Sequence, residues 1–241
     1  TWYRNTTGVS PTTPEAVPPI LTGRYPDDVG LLPTVEEHPD NVFTLLRGSY
    51  DLHVQESVTA LCPGELCGPG SLAPGHPLPE LALDALDLWQ RQLFGGGDDR
   101  QVDFAIRQSD PDAPTTINEF AAGMTVGDEP ALDVLHTVYP HQPWYPLPSG
   151  LTYEAPFVAE GLDPYTQYAW INEFAADTGR QRHLLQARNA DVMVGLLLAR
   201  LRELGTYDQS LIVVTADHGA AFEPGEPLRG VSAANADSVL W

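Results

Sequence analysis

Apolar positions fall into short blocks separated by Pro- and Gly-rich stretches, and the spacing inside each block predicts its element. Near the start, Glu15–Leu21 predicts a short helix that stops at "TGRYP". "NVFTLLR" (41–47) has helical spacing with Gly48 placed to end it, while "YDLHVQES" alternates apolar and polar positions as a strand does. A Pro/Gly loop over 62–80 precedes "ELALDALDLWQRQLF" (80–94), where Leu81, Leu83, Leu86, Leu88 and Leu93 form a broad apolar helical surface. Val102–Ile106 reads as a strand or short helix. "ALDVLHTVYPH" (131–141) is apolar and β-branched enough for a buried strand ending near His136. Residues 163–177 are weakly helical, the strongest helix runs from Gln181 to Leu204 with Gly205 closing it, and Leu211–Thr215 predicts another buried strand. Helices alternating with short buried strands predict an α/β sandwich with parallel pairing. No internal repeat interrupts that alternation.

Charge narrows the partners. Asp and Glu number 33 against 12 Lys plus Arg, a net charge of −21, and all 12 bases are Arg. A surface of that sign repels phosphate backbones and anionic bilayers, so no nucleic-acid partner is expected. No run of 18 apolar residues is present, so membrane association is expected only through segments beyond this chain. Cys62 and Cys67 are the only cysteines. Their CxxxxC spacing across Pro and Gly suits a loop disulfide in an extracytoplasmic compartment, with two reduced thiols as the alternative. A zinc site there lacks two further ligands.

The chemistry concentrates where strands are expected to end. Sites in open α/β sheets lie beyond the carboxyl ends of the strands. Two segments finish that way with polar residues: 131–141 with His136 and His141, and 211–219 with Asp217 and His218. A carboxylate beside an imidazole offers mixed O/N ligation for Zn²⁺ or Mn²⁺. An Asp-His pair by itself more often marks a turn or helix cap.

Three blocks together are more specific. "LGTYDQSLIVVTADHG" resembles the C-terminal metal-site signature of the sulfatase and alkaline-phosphatase superfamily, in which an Asp-His pair reaches a divalent cation. "TVYPHQPWYPLPSG" is similar to its "PHxP" segment, and "LTGRYP" (Leu21–Pro26) to the block after the sulfatase nucleophile. They occur in the superfamily's order and bracket nearly the whole chain, which looks most like membrane-anchored sulfatase-like proteins of actinobacteria. The resemblance implies an alkaline-phosphatase-like α/β sandwich with a mostly parallel central sheet. It also implies one sulfatase-like catalytic domain over 1–241, truncated at both ends, since no "apolar run–Asp–Glu" strand precedes Thr1.

At the nucleophile position "PTTPEAVPPILTGR" has no cysteine, so formylglycine chemistry has no support. Lipoteichoic-acid synthases and phosphoethanolamine transferases of the superfamily use a Thr. Thr13, five residues before Pro18, matches the latter and is the first choice, with Thr12 second. Both also fit as helix caps. The resemblance then implies a metal held by Asp217, His218 and Thr13, with Zn²⁺ or Mn²⁺ first and Ca²⁺ or Mg²⁺ as alternatives. It gives His141 the stabilisation of the transferring group or protonation of the leaving oxygen. Arg24, His136 and Arg229 become candidate contacts to an anionic ester substrate. Against this, His136 fits a core histidine, Arg24 could pair with one of the many acids, and Trp144 and Tyr145 could be loop anchors. His38, His53, His76 and His183 match no motif and read as surface.

The expected function is metal-assisted attack by Thr13 on a phosphate ester, sulfate second, as an extracytoplasmic and membrane-anchored hydrolase or transferase. The alternative from another class is a non-catalytic binding or scaffolding remnant with an incomplete metal site. A cytoplasmic phosphoglycerate-mutase-like isomerase ranks third.

Overall fold

Thr-Thr-Pro opens the first helix as its sequence suggests. In the computed structural model, which describes residues 7–26, 30–67, 113–142, 144, 147 and 161–230, α1 spans Thr13–Thr22 with Pro14 in its first turn. Pro is tolerated there because the first helical N–H groups have no intrahelical acceptor anyway. Gly23 ends α1 at φ 67, a left-handed conformation a β-carbon would disfavour, and its N–H bonds the Pro19 carbonyl. α2 is a single short turn, Val42–Leu46, set by a capping box. The Asn41 side chain accepts from Phe43 and Thr44 N–H groups, and Thr44 Oγ1 accepts from Asn41 N–H. Asn41 Nδ2 also donates to the His38 and Leu61 carbonyls, so this buried amide joins α2 to the neighbouring loop.

β1 (Asp51–Gln55) and β2 (Ala131–Leu135) pair in parallel, residue for residue from Asp51↔Ala131 to Gln55↔Leu135. Parallel neighbours need a crossover, and two of its pieces are described: α3 (Gly64–Cys67) and α4 (Ala113–Gly123). Cys62 and Cys67 are disulfide-bonded with 6.0 Å between α-carbons. The loop before them is organised by Glu56, whose carboxylate accepts from Thr59 Oγ1 and from the N–H groups of Leu61 and Cys62. Val17, Phe43, Leu61 and Cys62 form the core between α1, α2 and this sheet. His53, expected at the surface, is half-buried instead. Its register partner Asp133 holds Nδ1 at 2.9 Å, and its ring stacks 4.2 Å from Phe120 of α4.

A second antiparallel pair, β3 (Leu162–Asp163) and β4 (Ala169–Trp170), flanks a 3₁₀ turn at Pro164–Thr166. The weak helical reading of 163–177 is therefore corrected for its first ten residues. Asn172 then caps α5 (Glu173–Glu203), its side chain accepting from Ala175 N–H. The helix starts eight residues before Gln181. The Ala, Asp and Gly of that first stretch carry little apolar signal, and the cap is what fixes the start. Its opening turns carry the small buried residues Ala175, Ala176 and Gly179 against Trp170, whose ring belongs to a core with Trp144, Leu162, Phe222 and Leu228. A third cluster, Ile117 with Met193, joins α4 to α5.

The largest departure concerns Leu211–Thr215. The expected buried strand is absent: these residues belong to neither sheet, and Leu211, Val213 and Val214 are 91%, 74% and 68% exposed. A β-favouring run specifies local backbone preference, but a strand also needs a neighbour's ladder, and no described residue supplies one. What stands is an α/β arrangement of helices and a small parallel sheet. No described helix is long and apolar enough to cross a membrane. The expected helix at 80–94, the element at 102–106, His76 and Tyr145 lie outside the described residues.

Candidate active site

α1 and two loop segments meet at one place. Thr13 is the first residue of α1, His141 follows the cis Tyr139–Pro140 bond beyond β2, and Asp217, His218 and Arg229 lie on the stretch after residue 216. Thr12 precedes the helix as its cap residue, but its side chain makes no capping bond. The Thr13 side chain is no cap either. Its Oγ1 lies 3.4 Å from His218 Nε2, and the hydroxyl is near enough to the Asp217 carboxylate to lower its pKa.

The hydrogen bonds assign the tautomers. A guanidinium donates and never accepts, so Arg229 Nη2 at 2.6 Å makes His141 Nε2 an acceptor. His141 Nδ1 then carries the proton and donates to the Gln142 carbonyl. His218 follows the same pattern. Its Nδ1 donates to the Gly219 carbonyl at 3.0 Å, leaving the Nε2 lone pair toward Thr13 and toward Arg229 Nη1 at 3.4 Å. Arg229 Nη1 also donates to the Pro11 carbonyl, tying this segment to the start of α1 across 218 positions.

Electrostatics support the neutral His141 ring. Burial, then the Arg229 guanidinium, lowers the His141 pKa to about 4, with His218 acting the same way and the Gln142 carbonyl and Asp217 opposing. For Asp217, burial works upward, yet the Thr13 hydroxyl, the His218 ring and the His218 N–H hold its pKa below the ordinary value. Burial lowers the Arg229 pKa, with Asp217 opposing.

His136 lies just past β2, its N–H bonded to the Gln55 carbonyl. Its buried Nδ1 has no hydrogen-bond partner among the described residues. Burial lowers its pKa, and the charges of Asp217 and then Glu56 oppose. It borders the group rather than joining it. Arg24 is elsewhere: its guanidinium pairs with Asp40 at 3.2 Å, both side chains largely in solvent. The expected substrate contact by Arg24 is corrected to a surface ion pair, because α1 carries residue 24 to the far end of the helix from Thr13.

Divalent-cation chemistry can be tested against the donors present. Among the described residues no three His, Cys, Asp or Glu side chains form a cluster able to hold a metal ion. The third donor here is a hydroxyl. His218 Nε2 lies 3.4 Å from Thr13 Oγ1 and 3.7 Å from Asp217 Oδ2. Two ligands bound to one tetrahedral cation at about 2.0–2.2 Å stand roughly 3.3–3.6 Å apart, so the Thr13–His218 spacing fits a shared ion and the Asp217–His218 spacing lies just beyond that range.

One residue the sequence reading left at the surface belongs beside this group. His183 of α5 is largely buried, 5.3 Å from the Phe222 ring and edge-on to Trp144. Trp144 itself is buried and donates its indole N–H to the Pro140 carbonyl at 3.1 Å, the loop-anchor role. No sequence signal marks His183, because its partners lie about 40 positions away on either side.

Burial lowers the His183 pKa to about 4, only partly offset by the Pro140 carbonyl. Unfolded, the ring titrates near 6.5, so between these values the unfolded chain binds a proton that the folded one refuses. Its stabilising contribution is full above pH 6.5 and falls away down to pH 4, by up to about 3 kcal/mol. Urea unfolding at pH 7 and pH 4.5 measures this, and His183→Phe should reduce the difference. An unchanged pH dependence in the variant rejects it.

A family model described as Sulfatase matches residues 97–238. Comparison with curated proteins and with solved structures finds no match.

Proposed function

The chain belongs to the sulfatase family, and on that premise we propose that it cleaves or transfers phosphate esters, sulfate esters second, with Thr13 as nucleophile. Family membership indicates an ester hydrolase or transferase with an anionic ester substrate, and sulfatase-family proteins are generally metal-dependent. The observation that carries the finer reading is the position of Thr13 Oγ1, 3.4 Å from His218 Nε2 in the residue pair Asp217–His218. Preference for phosphate rests on the absent cysteine: Cys62 and Cys67 are bonded to each other, which leaves neither for formylglycine.

Thr13, Asp217 and His218 would hold the cation, which when bound lowers the pKa of a ligating hydroxyl and polarises the ester oxygens. The chain's own groups then divide the work. Thr13 Oγ attacks phosphorus, the bond to the leaving oxygen breaks, and Thr13 carries the phosphoryl group. Its proton would pass to the Asp217 carboxylate beside it, since the His218 Nε2 lone pair would be taken up in ligation. Arg229, with N–H donors between the two imidazoles, is placed to bind the group's anionic oxygens. His141 is neutral near pH 7, its unprotonated Nε2 held by Arg229 until the guanidinium turns to the substrate's oxygens. It suits accepting a proton from the water or acceptor hydroxyl of the second step better than protonating the first leaving group. That second attack breaks the Thr13 Oγ–P bond and returns a proton to the hydroxyl.

The remnant reading draws on the absence of a three-residue His/Cys/Asp/Glu cluster among the described residues. Metal analysis with assays on an aryl phosphodiester and an aryl sulfate separates the two. The proposal expects about one bound dication per chain and faster phosphodiester cleavage. Preferential sulfate cleavage overturns the phosphate assignment. No turnover of either, with no bound metal, leaves the remnant.

A further inference from the structure

One guanidinium holds the lone pairs of both imidazoles in the site. Arg229 Nη2 donates to His141 Nε2 at 2.6 Å, and Nη1 donates to His218 Nε2 at 3.4 Å and to the Pro11 carbonyl at 3.1 Å. The fork bridges two rings whose centroids stand 6.5 Å apart with their planes nearly perpendicular. A guanidinium is a donor only, so each ring contact takes up a ring lone pair. The proposed function needs the same two: His218 Nε2 as a ligand beside Thr13 Oγ1, 3.4 Å away, and His141 Nε2 as a base. A lone pair given to a metal cannot also accept from Arg229. Charge acts in the same direction, since a dication on His218 would stand close to the guanidinium and repel it. The His218 contact is the longest of the three Arg229 makes, and it is the first to yield.

We propose that Arg229 is an internal competitor for the dication: guanidinium and cation exchange at His218 Nε2, and the arm that lets go is the one that takes the ester's anionic oxygens. This rests on the reading above that Thr13, Asp217 and His218 hold the cation. While Arg229 bridges the rings, ligand and base are masked together, and one movement of one side chain unmasks both. An anionic ester that draws the guanidinium to itself frees His218 Nε2, so dication and anion each favour the binding of the other. The apparent dication affinity is then the intrinsic one reduced to the fraction of molecules in which Arg229 has let go. Plain repulsion between positive charges differs, because it depends on the charge and not on which atoms the arm reaches. Met at 229 removes both charge and donors, whereas Lys keeps the charge on an arm that ends in one ammonium and cannot fork across two rings.

Titration of the full chain with zinc alone at pH 7, followed by calorimetry and by ¹⁵N spectra of the histidine rings and arginine side chains, reads the exchange without any substrate. In the unsubstituted protein His218 Nε2 should take on the shift of a zinc-ligated nitrogen while the Arg229 side-chain resonances move, both completing at the same zinc level. Arg229→Met should bind zinc about tenfold more tightly, the ratio expected of an arm in place in about nine molecules of ten. Arg229→Lys should gain at least about threefold, because its charge stays and its fork is gone. Zinc on His218 with the Arg229 resonances unmoved overturns the inference and leaves the metal reading standing. Arg229→Lys binding as weakly as the unsubstituted protein beside a tight Arg229→Met also overturns it, since repulsion alone then accounts for the gain, and so does equal affinity in all three. Zinc held by Arg229→Met and not by the unsubstituted protein supports both readings. No zinc at His218 in any of the three ends the metal reading and this inference with it. Should a variant fail to fold, the paired resonances of the unsubstituted protein decide.

Discussion

Replacing Thr13 by Ala removes turnover by about 10³-fold or more while leaving the protein folded, because a nucleophile cannot be replaced by the groups that serve it. The change deletes one hydroxyl from the first residue of α1, where the helix cap belongs to Thr12 and no side-chain cap exists to lose. Thr12→Ala is the matched control. Its Oγ1 reaches only Ser10 Oγ, at 3.4 Å, so its removal should cost well under about 1 kcal/mol and leave turnover near that of the unsubstituted protein. Thr13→Ser, which keeps an oxygen at the position, should retain part of the activity. Assay of the three variants on the aryl phosphodiester, beside thermal melts, checks all of this. Equal turnover by Thr13→Ala and the unsubstituted protein would reject the assignment.

The second large effect lies in α5. Ala is the better helix former by about 1 kcal/mol, so Gly→Ala inside a helix ordinarily stabilises. At Gly179 the sign reverses. An added β-carbon would stand 2.0 Å from Trp170 Cη2, and that indole is fixed by its bond to the Ala221 carbonyl and by stacking on Phe222. Neither ring nor helix can retreat without opening the core beneath the site, so Gly179→Ala should destabilise by roughly 3 kcal/mol. Gly195, in the same helix with no atom within 4 Å of an added β-carbon, should instead gain up to about 1 kcal/mol on the same substitution. Urea midpoints of the two variants give the comparison, and a stable Gly179→Ala would mean that α5 does not seat on Trp170 as described.

Much of the candidate site was legible because its residues are motif-bearing and lie at element ends. Thr13, His141, Asp217, His218 and Arg229 were singled out by residue type, order and resemblance, and their side chains stand within contact of one another. Their chemical roles remain the proposal above. His183 was not legible: a histidine inside a polar helix carries no local mark, and only its packing against Phe222 and Trp144 gives it a place. Arg24 shows the opposite error, since a motif position fixed its sequence distance from Thr13 but not the direction in which α1 would carry it. Helix boundaries set by caps and glycines, as at Gly23 and Asn41, were readable from chemistry within a few residues of the end. Leu211–Thr215 was misread because apolar β-branched residues also satisfy a segment with no strand beside it among the described residues.

That segment has a geometric duty that follows from the length of α5. His183 marks the level of the site, and the helix climbs from there to Leu204, about 30 Å at 1.5 Å per residue. The chain then has residues 205–218 in which to come back to Thr13. Coiled as a helix those 14 residues would cover only about 21 Å, whereas drawn out they reach about 46 Å. The β-branched run thus acts as a return line, stiff against coiling, long enough after the 3₁₀ turn at Tyr207–Gln209 to span the rise of the helix beside it. An added turn in the last half of α5 would lengthen the return by about 5.4 Å, which the drawn-out segment can absorb. Coiling 205–218 into helix could not span even the present rise, and would draw Asp217 and His218 away from Thr13.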